Sequence, residues 1–285
     1  MILISGATGT SGQQIVQETL TRGAPIRVLV RDTAKAAVQL GDEVEIARGD
    51  FSDPMSVEAA MEGVDRTLLL SPPSNQLIET EKSFVDAAKR SGVKHIVKFS
   101  AMGAAPDSTE GFCRWHGISE AYIKQSGLAW TMLRPPFFMQ NLLGLASMIH
   151  AGTVYQPAGD GKAGFVDVRD IASVAASALS EDGHENKSYD ITGPALLSWH
   201  DIAAILTRQL GREIKYVDVP PEASKQSMMQ SGMLAWQADA VNALLADLKA
   251  GKFARLTDSV EKIGHKTPTT LEEFVRENAA ALNPT

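Results

Sequence analysis

Cysteine is almost missing from this sequence of 285 residues. Cys113 stands alone, so no intrachain disulfide can form and a secreted disulfide scaffold is excluded. The opening residues show no secretion signal, and with one cysteine the expected location is the reducing cytoplasm. A basic block is missing too: 27 Lys and Arg stand against 34 Asp and Glu, for a net charge of -7. A phosphate-reading surface needs clustered cations, so nucleic acid is not an expected partner. No apolar run reaches the roughly 18 to 20 residues that span a bilayer, so no membrane is expected either. The six histidines (His95, His116, His150, His184, His200 and His265) lack the spacing of a metal site. No metal is expected.

What the chain does have is enough apolar sequence, 44%, for one large domain or one domain with a lobe grafted on. Its most informative stretch is the first. Met1–Ser5 is a short apolar run, Gly6-Ala7-Thr8-Gly9-Thr10-Ser11-Gly12 follows it, and Gln13–Leu20 has the apolar spacing of an amphipathic helix. Strand, glycine turn and helix in that order make a phosphate cradle. Glycine lets the backbone turn sharply and approach an anion, while the helix start presents N–H groups and the positive end of its dipole. The spacing is Gly-x-x-Gly-x-x-Gly, not the Gly-x-Gly-x-x-Gly of the older dehydrogenase fingerprint. Gly6, Thr8, Gly9, Thr10, Ser11 and Gly12 are the residues expected to hold a dinucleotide pyrophosphate.

Ile26–Val30 reads as the second strand and ends at Arg31-Asp32, where the adenosine ribose of such a cofactor usually lies. A guanidinium pairs with a 2′-phosphate, so Arg31 with Lys35 points to NADP(H) over NAD(H); both could also be plain solvated charges. Val44–Phe51 is the third strand, with Asp50 placed to accept the adenine amino group and Phe51 to flank the ring, or Asp50 simply to cap the next turn. Arg66–Ser71, Val93–Ser100 and Leu128–Arg134 are the fourth, fifth and sixth strands. Ser71, Pro72, Ser100 and Pro135, at their ends, are further cofactor candidates. The apolar cluster after Pro135 suggests a pocket shaped by Phe137 and Phe138, with Met102 and Phe165, or else ordinary core. Ala101–Thr109 reads as a flexible stretch. From Glu222 to Lys252 the text is helical and rich in methionine, a pliable apolar wall or filler.

Strands and helices that alternate this regularly call for an α/β, doubly wound parallel sheet of Rossmann type. A smaller, mostly helical C-terminal lobe would receive the substrate. The expected division is a cofactor core over 1–135, with 153–192 returning to it, and a substrate lobe over 136–152 and 193–285.

The chain resembles the NmrA-like branch of the atypical short-chain dehydrogenase/reductases over essentially its whole length. The glycine turn, Val30-Arg31-Asp32, Gly49-Asp50, Gly92-Val93-Lys94-His95-Ile96 and Leu133-Arg134-Pro135-Pro136-Phe137 carry the likeness. So do Gly159-Asp160-Gly161-Lys162 and Thr267-Pro268-Thr269-Thr270-Leu271-Glu272-Glu273-Phe274. Within the branch it is most similar to bacterial NADPH-dependent quinone oxidoreductases and triphenylmethane reductases. The resemblance implies hydride transfer from NADPH to a small, apolar, electron-poor acceptor; the expected working form is a monomer or a homodimer. It also implies an alternative, a non-catalytic NADP(H)-sensing regulator that binds a protein partner. Extended members of the superfamily carry Tyr-x-x-x-Lys followed four residues later by glutamate. Set against Glu120, that register puts Phe112 in the tyrosine position and His116 in the lysine position. Phenylalanine has no proton to exchange, which disfavours alcohol oxidation and favours acceptors that need only hydride and placement. His116 is left as the one catalytic candidate, able to touch the ribose or protonate a product, or else is an ordinary helix histidine. Cys113 beside Arg114 and His116 has no orienting third group and is not read as a nucleophile.

Overall fold

Six apolar runs, most of them ended by glycine or proline and followed by a helix, have few ways to bury themselves. The computed structural model, which describes residues 1–108 and 111–283, shows the one adopted. Strands β1 (Ile2–Ser5), β2 (Ile26–Val30), β3 (Glu45–Arg48), β4 (Arg66–Leu69), β5 (His95–Phe99) and β6 (Ala129–Arg134) open the chain. Helices α1 (Thr10–Thr21), α2 (Thr33–Leu40), α3 (Pro54–Ala60), α4 (Leu77–Arg90) and α5 (Phe112–Gln125) connect them. A 3-10 segment (Met139–Leu145), α6 (Ala146–His150), β7 (Thr153–Gln156), α7 (Val168–Ser180) and β8 (Lys187–Asp190) follow. Seven strands run in the order β3-β2-β1-β4-β5-β6-β8, all parallel. The doubly wound sheet is as expected. Its order reverses between β1 and β4, which opens a crevice past their carboxyl ends.

Successive strand residues point to opposite faces, so each strand supplies two cores. Ile4, Val28, Leu68 and Val97 pack with Ile15 and Val16 of α1 and Ile171 and Ala175 of α7. Leu3, Leu29, Leu69 and Ile96 pack on the other side with Val57 of α3, Phe84 of α4 and Ile123 of α5. Both faces are covered, which is why the strands read as nearly continuous apolar runs. Lys98 breaks that rule, and it points to the α4–α5 side with Ile96.

After β8 come α8 (Trp199–Leu210), β9 (Lys215–Asp218), α9 (Pro221–Gln230), α10 (Ala235–Lys249), α11 (Ser259–Lys262), α12 (Leu271–Glu277) and α13 (Ala279–Leu282), most of them in a smaller lobe, while Val260 of α11 joins the core of α1 and α7. The boundary at residue 153 needs correction. β7 pairs with β9, not with the main sheet, because Val154 and Tyr216 bury themselves in the lobe's own core. The Thr267–Phe274 stretch ties this lobe back. Buried Asp170 of α7 accepts from the Thr269 N–H at 2.7 Å and from its hydroxyl at 3.0 Å, and Thr270 with Glu273 forms the capping box of α12. Residues 101–108 are turns rather than a loose strap, with the Ala105 N–H donating to the Cys113 carbonyl at 3.2 Å; Thr109 lies outside the described residues. Among the described residues no helix is long and apolar enough to cross a membrane.

One buried group on β5 makes the fold sensitive to acid. Thr131 gives its hydroxyl proton to the His184 carbonyl (2.6 Å), so His95 Nε2–H must donate to the Thr131 oxygen (2.8 Å). Nδ1 is left a buried acceptor without a partner. Burial first, and Arg66 second, push His95 down to about 4. The unfolded ring takes its proton near pH 6.5, so stability is full above that value and is lost as pH falls towards 4, by up to roughly 3 kcal/mol. Urea unfolding at pH 7 and pH 4.5 reads this, and His95→Gln should show a shallower decline. Parallel declines would contradict the assignment.

Candidate active site

The site is built upward from the end of β1. The Ser5 hydroxyl donates to the Leu68 carbonyl (2.8 Å) and accepts from the Leu70 N–H (2.9 Å), tying β1 to β4 at the switch point. Gly6 comes next at φ +68°, and a Cβ there would stand 2.6 Å from the Leu70 carbonyl oxygen. A Cβ on Gly12 would stand 2.1 Å from the Gly6 carbonyl oxygen. The turn therefore closes on itself only with glycine at both places. Gly9, by contrast, is the exposed N-cap of α1, and its nearest neighbour for a Cβ is 3.4 Å away. No side chain caps this helix. Its first N–H groups are thus left without a capping side-chain oxygen, as a pyrophosphate requires. A dinucleotide fits this cradle.

The adenosine end lies at β2 and β3. Asp32 accepts from the Lys35 N–H at 2.9 Å and caps α2, so its carboxylate is committed locally. Arg31 is 80% exposed in its side chain, with Nε 3.9 Å from Asp50 Oδ2. Lys35 is exposed one turn into α2. Asp50 Oδ1 accepts from the Ser52 hydroxyl (2.7 Å) and N–H (2.8 Å), and these two bonds, then Arg31, hold the carboxyl below its usual range. Asp50 thus closes its own turn. Phe51 leans on Phe84, ring centres 5.5 Å apart, and is half-buried.

On the other side of the cradle from the adenosine end sits a chain of polar groups at the carboxyl ends of β4 and β5. Ser71 donates to Glu81 Oε1 of α4 at 2.7 Å. Lys98, fully buried, donates to the same oxygen at 2.7 Å, to the Phe99 carbonyl at 3.0 Å, and meets His116 Nδ1 at 3.1 Å. Burial first, and Lys98 second, hold the imidazole well below its ordinary pKa. His116 is therefore neutral at pH 7 and can lend a hydrogen bond, not an easily lost second proton. Nearby Cys113 is 5% exposed, and burial lifts its thiol to about 11, so it is no thiolate nucleophile.

Residues 1–275 match the model of the NmrA-like family. The chain belongs to that family. It is 40% identical over 283 residues to the NAD(P)H azoreductase of Xenophilus azovorans, covering 99% of either chain. The NADPH-dependent quinone oxidoreductase of Escherichia coli, solved with NADPH, is 28% identical with a TM-score of 0.90, over 97% of this chain and 99% of that one. The triphenylmethane reductase of Citrobacter sp., solved with NADP(H), is 27% identical with a TM-score of 0.88, over 97% and 99%.

Against that family frame, this NmrA-like chain departs from several expectations. Ser100 is 2% exposed and its hydroxyl is spent on Glu120 Oε1 at 2.6 Å, so it does not face a cofactor. Met102, Phe137 and Phe165 do not open on a pocket as expected but are buried in the core: Phe137 packs on Phe165 and Phe253 with ring centres 5.4 and 5.5 Å away. Phe138 alone of the four is half-buried, edge-on to Phe99. Pro135 is buried and its carbonyl accepts from the Met102 N–H (2.9 Å), while Pro72 is exposed. An aromatic row instead lies on α5 and α10, with Phe112, Trp115 and Trp236 in sequence 5.4 and 5.9 Å apart. A cleft of about 310 Å³ opens beside Thr10 and Gln14, facing Gln140, Arg169 and Glu277, and none of the four expected pocket residues borders it. Glu81 and Lys98 escaped the sequence reading. A lysine inside an otherwise apolar buried strand was the available signal. Among the described residues no cluster of side chains suits a metal ion.

Proposed function

We propose that this NmrA-like protein is an NADPH-dependent reductase of small, apolar, electron-poor acceptors such as quinones, azo dyes or activated double bonds. The observation that carries the reading is the glycine cradle at the switch point, in a chain whose likeness to reductases of this cofactor runs end to end. NADPH, when bound, supplies the hydride. Gly6, Gly9, Gly12 and the first turn of α1 hold the pyrophosphate, and Arg31 and Lys35 the 2′-phosphate. His116 stands where a hydrogen bond to the acceptor can offset charge that develops on it. With Phe112 in place of a tyrosine, the final proton comes from water. The partner is a small molecule, the working form a monomer or homodimer, and the compartment the cytoplasm.

Steady-state NADPH oxidation, followed at 340 nm against a panel of quinones and azo dyes, tests this. Turnover above buffer is expected; tight NADPH binding with no turnover on any acceptor would return the sensing-regulator reading. Arg31→Ala should weaken NADPH binding by roughly 10- to 30-fold, as loss of a charge-assisted contact implies, and leave NADH binding unchanged. Equal losses for both cofactors in calorimetry would remove Arg31 from the 2′-phosphate.

A further inference from the structure

The polar chain behind His116 has a fixed direction. A lysine ammonium has three N–H groups and no lone pair. Lys98 spends one on the Glu81 carboxylate at 2.7 Å and one on the Phe99 carbonyl at 3.0 Å. The third points at His116 Nδ1, 3.1 Å away, and that nitrogen has to accept it. The ring proton must then sit on Nε2, at the opposite edge of the ring. Nε2 makes no hydrogen bond among the described residues, and the His116 side chain is half-buried, not sealed. Lys98 cannot swing away, because it is fully buried and Glu81 is 1% exposed. Ser71, donating to the same Glu81 oxygen, anchors the pair to the end of β4.

We propose that the buried Glu81–Lys98 pair positions His116 as a fixed Nε2–H donor, which makes the site selective for acceptors that carry a lone pair at or beside the reacting atom. This rests on the reductase reading above. A quinone oxygen or an azo nitrogen presents such a lone pair and gains negative charge as hydride arrives. The hydride brings two electrons to the acceptor, Nε2–H gives a hydrogen bond without transferring its proton, and water protonates the product anion. A triarylmethyl cation offers no lone pair at its central carbon and loses charge on reduction, so the donor contributes nothing there. Glu81 and Lys98 are positioning residues. They act only through the imidazole.

Nitrogen-15 NMR of the histidine rings reads the tautomer without any turnover, His116 being assigned by the signal lost in His116→Gln. The expected result is Nε2 protonated and Nδ1 bare at pH 7. A ring protonated on Nδ1 would overturn the proposal, even in a protein that reduces every acceptor offered. In Lys98→Met, Nδ1 loses its donor and the ring should take its proton more readily than in the parent, while burial still holds it below the ordinary histidine value. The same variant should lower kcat on a quinone by about tenfold, the worth of one hydrogen bond to developing charge, with NADPH affinity unchanged and kcat on a triphenylmethane dye within about twofold. An equal fall on both acceptors would overturn the selectivity. If Lys98→Met does not fold because Glu81 is stranded, the Glu81→Gln/Lys98→Met double variant takes its place. A protein that turns over nothing, yet shows the Nε2–H tautomer, fails the reductase reading while the positioning of His116 stands.

Discussion

Gly12→Ala should lose NADPH binding by about 100-fold or more, a cost near 3 kcal/mol, in direct titration. The added Cβ would fall 2.1 Å from the Gly6 carbonyl oxygen and 2.8 Å from its carbon, both backbone atoms of the same turn. Neither can move without opening the cradle, since Gly6 is itself pinned beside the Leu70 carbonyl. Overpacking of this kind costs roughly 1 to 3 kcal/mol of stability as well, so the melting temperature should fall in parallel. Gly9→Ala is the informative control. Its Cβ would meet nothing closer than 3.4 Å, so the fold should keep its melting temperature while the approach of a pyrophosphate is impeded. Unimpaired NADPH binding by Gly12→Ala would mean that the turn is a structural corner and the cofactor lies elsewhere.

Glu120→Leu is expected to be the most destabilising exchange outside the main cores. Its carboxylate is only 3% exposed and takes a two-pronged bond from Arg134, one prong at 2.9 Å, with Ser100 at 2.6 Å and Lys124 at 3.5 Å. Glu120 is also the first cause that raises Arg134 above its ordinary range. Removing one partner of a buried pair strands the other, which costs roughly 3 kcal/mol or more. For a chain of this size that is a fall in melting temperature of roughly 6 to 12 °C. Glu120→Gln keeps one acceptor for Arg134 and should fall by less than half as much. A Leu variant as stable as the parent would show that Arg134 finds water instead. The residue that sets the superfamily register on α5 thus holds that helix to β6, and with it the height of His116 over Lys98.

The doubly wound sheet was legible because its causes are local. Two-residue alternation along a strand, Pro54 behind the Asp53 cap, and Ser198 with Asp201 at the head of α8 act within a few residues of one another. The glycine turn was legible for the same reason: a left-handed φ and a close approach leave glycine as the only solution. The cofactor followed from that turn. β7 was not legible, since Thr153–Gln156 becomes a strand only where β9 comes alongside. The aromatic residues after Pro135 looked like a pocket because sequence reports that a ring is apolar but not which rings it will meet. Phe253, which fills the space beside Phe137, lies far away in the chain.

His116 shows the division most plainly. Sequence alone placed a titratable ring on α5, one turn after Phe112. Whether that ring would be charged, and which nitrogen would hold its proton, depended on Lys98, 18 residues before it, and on Glu81, a further 17 residues back. Those three side chains meet because β5 turns Lys98 toward α4 and α5 and because the two helices pack side by side. Propensity and backbone sterics are written residue by residue and can be read in order. The dielectric around an imidazole, and the donor that faces it, are properties of a packed interior and exist only once the sheet has closed.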